Sequence, residues 1–79
     1  MSEQIEGRLL QVFRTVFDDP DLVVEGRTTA NDVDGWDSLT HINLIVAVER
    51  EFKVRFTTAE VTGMKNVGDL LGAILRKLN

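Results

Sequence analysis

Apolar positions along this chain fall into three runs with helical spacing, separated by polar stretches rich in turn and capping residues. Ile5, Leu9, Val12, Phe13 and Val16 recur every three or four places, with Glu6, Arg8 and Arg14 elsewhere on the wheel. They predict a first helix from about Glu3 to Phe17, weakened at its start by Gly7 and stopped by Asp18, Asp19 and Pro20. A second run begins at Asp37–Ser38 and continues to about Phe52, with Asp37 placed to accept the unpaired amides of the first turn. Leu44, Val48 and Phe52 form a core stripe at i, i+4 and i+8. Leu39, Ile42, Ile45 and Val46 widen the apolar surface beyond that stripe. A helix apolar over more than half its circumference is either deeply buried or keeps a face for a partner.

The rest of the chain is shorter-grained. Residues 54–56 read as a loop with Phe56 turned inward. Thr57 and Glu60 make a capping box that opens a short helix near Val61, which Gly63 ends. Asn66 and Asp69 repeat the start signal, and Val67, Leu70, Leu71, Ile74, Leu75 and Leu78 mark a final amphipathic helix. Arg76 and Lys77 complement the dipole at its carboxyl end. Between the first two helices lies a long connection, residues 18–37. There Leu22, Val23, Val24 and Val33 are expected to pin the chain to the core, and Thr29 is expected to cap one short turn. The pattern predicts an all-α fold: a small four-helix bundle of three longer helices and one short one, with a long first loop, forming one domain over residues 1–79.

Composition narrows the setting. The chain has no cysteine, so no disulfide or thiolate–metal site can brace it, and stability must come from packed apolar faces. Its start is polar and does not read as a signal peptide, and no stretch approaches the roughly 20 apolar residues that span a bilayer. The reading is a soluble, cytoplasmic protein without a membrane association. Net charge is only −4, but Asp18–Asp37 holds seven acids against Arg27 alone, a local −6, while the remainder stands at +2. Such a segment repels nucleic acid and favours basic protein surfaces.

The stretch "ANDVDGWDSLTH" and the basic residues after the second helix invite three other chemistries. With Gly35 at the sixth position of an EF-hand loop, Ala30 and His41 fall at the first and twelfth positions, where carboxylates are required, so no dedicated metal site is expected. Ser38 lacks a G-x-S-x-G context, and the sole histidine, His41, is expected to be exposed beside it rather than to serve as a catalytic base. Arg50, Lys53 and Arg55 form a small basic patch without interleaved aromatics, which reads as a solvated face rather than a nucleic-acid site.

The sequence of features is more specific than any one of them: an acidic loop, Gly35–Trp36, "DSL" at a helix start, then an over-apolar helix ending "EREF". Over nearly its whole length the chain resembles the acyl carrier protein family, which also includes peptidyl and aminoacyl carrier domains. "GWDSLTHINLIVAVEREFKVRF" is similar in particular to stand-alone carriers of specialised bacterial biosynthetic pathways. The resemblance implies a non-enzymatic, monomeric carrier in which Ser38 is esterified by 4′-phosphopantetheine from coenzyme A, with Asp37 and Leu39 as the recognition flank. It implies a phosphopantetheinyl transferase, an acyl- or aminoacyl-loading ligase and downstream synthases or transferases as partners. Ile42, Ile45, Val46 and Glu49 are the expected contacts to partners or to the acyl chain, with Leu39 and Val46 on the exposed side.

Elementary chemistry agrees with that picture. A chain without cysteine needs an added arm to supply a thiol, and the amino terminus of a helix favours a phosphodiester. In one respect the chain departs from carriers of the common fatty-acid type, whose second helix is dense in acids. Thr40, His41, Asn43 and Arg50 stand there instead, leaving Glu49 and Glu51, which points to a dedicated pathway. The competing reading is a small helical interaction module that is never modified and docks through its second helix.

Overall fold

The computed structural model describes residues 2–78, so both outer ends of the expected 1–79 domain lie outside the described residues. Its elements are α1 (Ser2–Val16), one 3-10 turn (Ala30–Asp32), α2 (Ser38–Phe52), α3 (Thr58–Gly63) and α4 (Val67–Leu78). The fold is all-α, with three long helices and one short one, as the periodicity predicts.

Local signals set most of the boundaries. α1 ends one residue before Phe17, because Asp18 takes a left-handed conformation (φ 52°). The amide of Asp18 then donates to Thr15 O (3.3 Å) and that of Asp19 to Arg14 O (3.0 Å), which satisfies the last carbonyls of the helix. At the 3-10 turn Asp32 Oδ2 accepts the Thr29 amide (2.9 Å) and hydroxyl (3.2 Å), so the Thr29 hydroxyl donates instead of capping the turn as expected. Thr57 and Glu60 box α3, with Thr57 Oγ1 accepting the Glu60 amide. At α4, Asn66 Oδ1 accepts the Asp69 amide (2.8 Å) while Asp69 Oδ2 accepts the Lys65 amide (2.9 Å). α2 ends on Lys53, which is also left-handed (φ 56°) and fills a place where glycine is the common choice.

α1 packs against α2 and α4 around one core. Leu9, Val12 and Phe13 from α1 meet Leu44, Ile45, Val48 and Phe52 from α2 and Val67, Leu70 and Ile74 from α4. Phe13, Leu44, Val48 and Ile74 have no measurable exposure, and burial of each such side chain contributes about 1.5–3 kcal/mol. Phe56 packs against the edge of this core and lies 5.4 Å beneath the Lys77 ammonium. Lys77 also reaches Glu60 Oε1 at 3.1 Å, tying α3 to the end of α4.

The long connection is held from both sides. Arg14 Nε donates to Leu22 O (2.8 Å), and Leu22, Val24 and Val33 turn toward the core. Val23, expected to help, instead lies 69% exposed, because a chain in extended conformation turns alternate side chains outward. Further along, the amide of Val67 donates to Thr28 O (2.9 Å) and that of Gly68 to Gly26 O (2.7 Å). These bonds satisfy two of the orphan amides at the start of α4. Gly68 is required there: a Cβ at that position would stand 2.9 Å from Gly26 O.

Candidate functional site

The turn that delivers Ser38 is built by its neighbours. Gly35 adopts φ 85°, a conformation open to glycine, and the amide of Trp36 donates back to Val33 O (3.2 Å). Trp36 then inserts beside α1, edge-on to Phe13 (5.4 Å between centroids) and Phe17 (6.0 Å). Its indole N–H donates to Nδ1 of His41 (3.2 Å), and the two rings stack at 6.1 Å. His41 is therefore half-buried and spends Nδ1 as an acceptor, which corrects the expectation of an exposed imidazole.

Asp37 stands at the N-cap of α2 in extended conformation. Its Oδ1 accepts the Thr40 amide (2.9 Å) and the Thr40 hydroxyl (3.0 Å). These bonds, the backbone one foremost, hold its carboxyl below the ordinary aspartate value of 3.8. Ser38 follows as the first helical residue. It is exposed, and among the described residues its hydroxyl makes no hydrogen bond. Beside it runs an open groove of about 430 Å³ between α2 and α3, walled by Trp36, His41, Val61, Met64 and Lys65. An extended arm on Ser38 has room there without moving a core side chain, and the positive end of the α2 dipole suits a phosphodiester at that oxygen. The site thus fits the expected prosthetic group.

The remaining expected contacts separate into two groups. Leu39, Ile42 and Val46 are 69%, 58% and 41% exposed and lie along the side of α2 opposite the core. Ile45 is 6% exposed within the core, so only an interior role is open to it. Glu49 is half-buried and its Oε2 accepts the Phe56 amide (2.8 Å), which shapes the connection from α2 to α3. Asp32, weighed as a cation ligand, has a carboxylate oxygen bonded to Thr29, and among the described residues no cluster of three or more acids and histidines can hold a metal ion. Trp36 is the positioning residue that pattern reading passed over. Its signal was a lone tryptophan beside glycine in a polar loop, a side chain too apolar to be left in water.

Residues 7–74 match the family model described as a phosphopantetheine attachment site. The solution NMR structure of a holo acyl carrier protein from Geobacter metallireducens is similar at 47% identity, with a TM-score of 0.86 over 91% of this chain and 83% of that one. No curated protein matches the chain. The chain belongs to the phosphopantetheine-binding carrier family. It is an acyl carrier, not an enzyme, and 4′-phosphopantetheine is its prosthetic group. Membership also implies a phosphopantetheinyl transferase and biosynthetic enzymes as partners. The competing reading of an unmodified interaction module gives way to this match. No helix among the described residues is long and apolar enough to cross a membrane.

Proposed function

We propose that Ser38 is the attachment residue and that Asp37 and Leu39 are the flank a phosphopantetheinyl transferase reads. One observation carries the assignment: the chain has two serines, Ser2 and Ser38, and only Ser38 falls within the residues matched by the attachment-site model. Its exposure and its place at the head of α2 support the same choice. Modification forms a bond from Ser38 Oγ to the pantetheine-bearing phosphorus of coenzyme A, breaks the pyrophosphate P–O bond, and releases adenosine 3′,5′-bisphosphate together with the hydroxyl proton. When attached, the arm supplies the thiol on which cargo rides as a thioester.

In this reading Asp37 has a second duty beyond recognition. By holding the Thr40 amide and hydroxyl it keeps the first turn of α2 intact, so that Ser38 meets each enzyme in one orientation. Trp36 fixes the same turn from behind through Phe13 and Phe17. Leu39, Ile42 and Val46 offer partner enzymes a narrow apolar strip that begins at the serine. A loading ligase and downstream synthases or transferases of a dedicated cytoplasmic pathway are the partners, because Thr40, His41, Asn43 and Arg50 stand where general fatty-acid carriers present acids.

Incubation with coenzyme A and a broad-specificity phosphopantetheinyl transferase, followed by intact-mass measurement, tests the assignment. One phosphopantetheine is expected on the wild type and none on Ser38→Ala. Equal addition to both would move the attachment point elsewhere.

A further inference from the structure

The far end of α2 holds three cations that the carrier reading does not use. Arg50, Lys53 and Arg55 are exposed, and none enters an ion pair or a side-chain hydrogen bond among the described residues. The two nearby acids are spent: Glu51 pairs with Arg8 at 2.9 Å, and Glu49 accepts the Phe56 amide. The cations border an open groove of about 500 Å³ whose apolar walls are Val46 and Val54. On a helical wheel Leu39, Ile42, Val46, Arg50 and Lys53 fall within one narrow face. The strip that starts beside Ser38 therefore runs into the cationic groove, reaching Arg50 about 18 Å from Ser38 at 1.5 Å per residue.

Complementing the α2 dipole accounts for Arg50 in the last turn. It does not account for Arg55, which lies beyond the helix, nor for a lysine at φ 56° where glycine is the favoured residue. The two ends of the face also differ in sign, since Asp34 and Asp37 precede Ser38 in the −6 segment. An extended polyanion seated on the cations would be repelled by that segment. A folded partner with a discrete acidic patch would not.

We propose that Arg50, Lys53 and Arg55 form a docking patch for a carboxylate-bearing surface of a partner protein, set about 18 Å along α2 from the point where the arm enters that partner. The proposal rests on Ser38 as the attachment point. Opposite charges at the two ends of one face give a partner a single favourable direction of approach, so the patch governs orientation as well as attraction.

The test is a titration of the ¹⁵N-labelled full chain, modified on Ser38, with a helical peptide of Glu, Leu and Ala at low salt. Amide shifts centred on Val46, Arg50, Lys53 and Arg55 are expected, with about tenfold weaker binding to an Arg50→Glu/Arg55→Glu variant. Lys53→Gly is expected to weaken binding while raising the melting temperature, which separates loss of charge from loss of fold. Equal affinity for a peptide with Gln in place of Glu would overturn the proposal. So would undiminished binding by the double variant, tighter binding of a DNA duplex or phosphatidylglycerol vesicles at the same residues, or occupation of the patch by a second copy of this chain. The intact mass of the same sample reports modification of Ser38 separately, so a failed attachment and a failed patch cannot be confused.

Discussion

The indole N–H of Trp36 donates to Nδ1 of His41 across 3.2 Å, joining the turn before Ser38 to the first turn of the helix that Ser38 begins. The serine is thus held between two residues that are bonded to each other, and one of them is packed against α1. Trp36→Ala removes both the packing on Phe13 and Phe17 and the bond. For a half-buried tryptophan it is expected to cost about 2–3 kcal/mol in urea unfolding. Trp36→Phe keeps most of the packing and leaves Nδ1 without its donor, for about 1 kcal/mol. Equal losses in the two variants would show that the bond, and not the packing, dominates.

Two glycines of α4 are expected to respond in opposite directions. Gly68→Ala drives a Cβ to 2.9 Å from Gly26 O and breaks the 2.7 Å backbone bond, so the helix-propensity gain is outweighed and stability falls by about 1–2 kcal/mol. Gly72→Ala meets nothing within 4 Å and should raise stability by about 1 kcal/mol. Thermal melts of both variants check the contrast.

Acid should unfold the protein partly through its caps. The Asp37 carboxyl lies below 3.8, chiefly through the backbone bond from Thr40, and that of Glu60 lies below 4.5, chiefly through the backbone bond from Thr57 and then Lys77. Both folded-state values are depressed relative to the unfolded chain. The stability they contribute is therefore complete above those ordinary values and is lost as pH falls through the lowered ones. Asp37→Asn retains a capping oxygen, so stability near neutrality should change little while the loss between about pH 5 and pH 2 becomes shallower. An unchanged acid limb in the variant would remove Asp37 from the account.

Salt should act on the first loop. Asp18, Asp19, Asp21 and Asp34 crowd a segment of charge −6 in which Arg27 already pairs with Glu25. Screening from low to moderate ionic strength is expected to stabilise the fold by about 0.5–1 kcal/mol, or a few degrees in melting temperature. Asp21→Asn should raise the low-salt midpoint and reduce that dependence. A midpoint indifferent to salt would mean the loop's repulsion is not a strain on the fold.

How much of this was legible in the sequence depended on the reach of each interaction. The capping box at Thr57, the cap at Asn66 and the α2 cap at Asp37 connect residues three apart, and each could be read from spacing alone, whereas the cap expected of the Thr29 hydroxyl did not form. Ser38 is singled out by the resemblance that its surroundings carry, not by spacing. Wheel position placed Leu39 and Val46 on the exposed side, but the burial of Ile45 and the exposure of Ile42 depend on how α2 crosses α1, which periodicity does not specify. The contact of Gly26 with Gly68 and the seat of Trp36 on Phe13 join residues far apart in the chain. No local pattern announces them.

The seat of Trp36 has one more consequence. It is the sole tryptophan of the chain, two places before the serine and on the wall of the groove beside it. Its fluorescence therefore reads that neighbourhood without any added label. An arm laid along that groove changes the surroundings of the indole, so loading of Ser38 has an intrinsic optical readout.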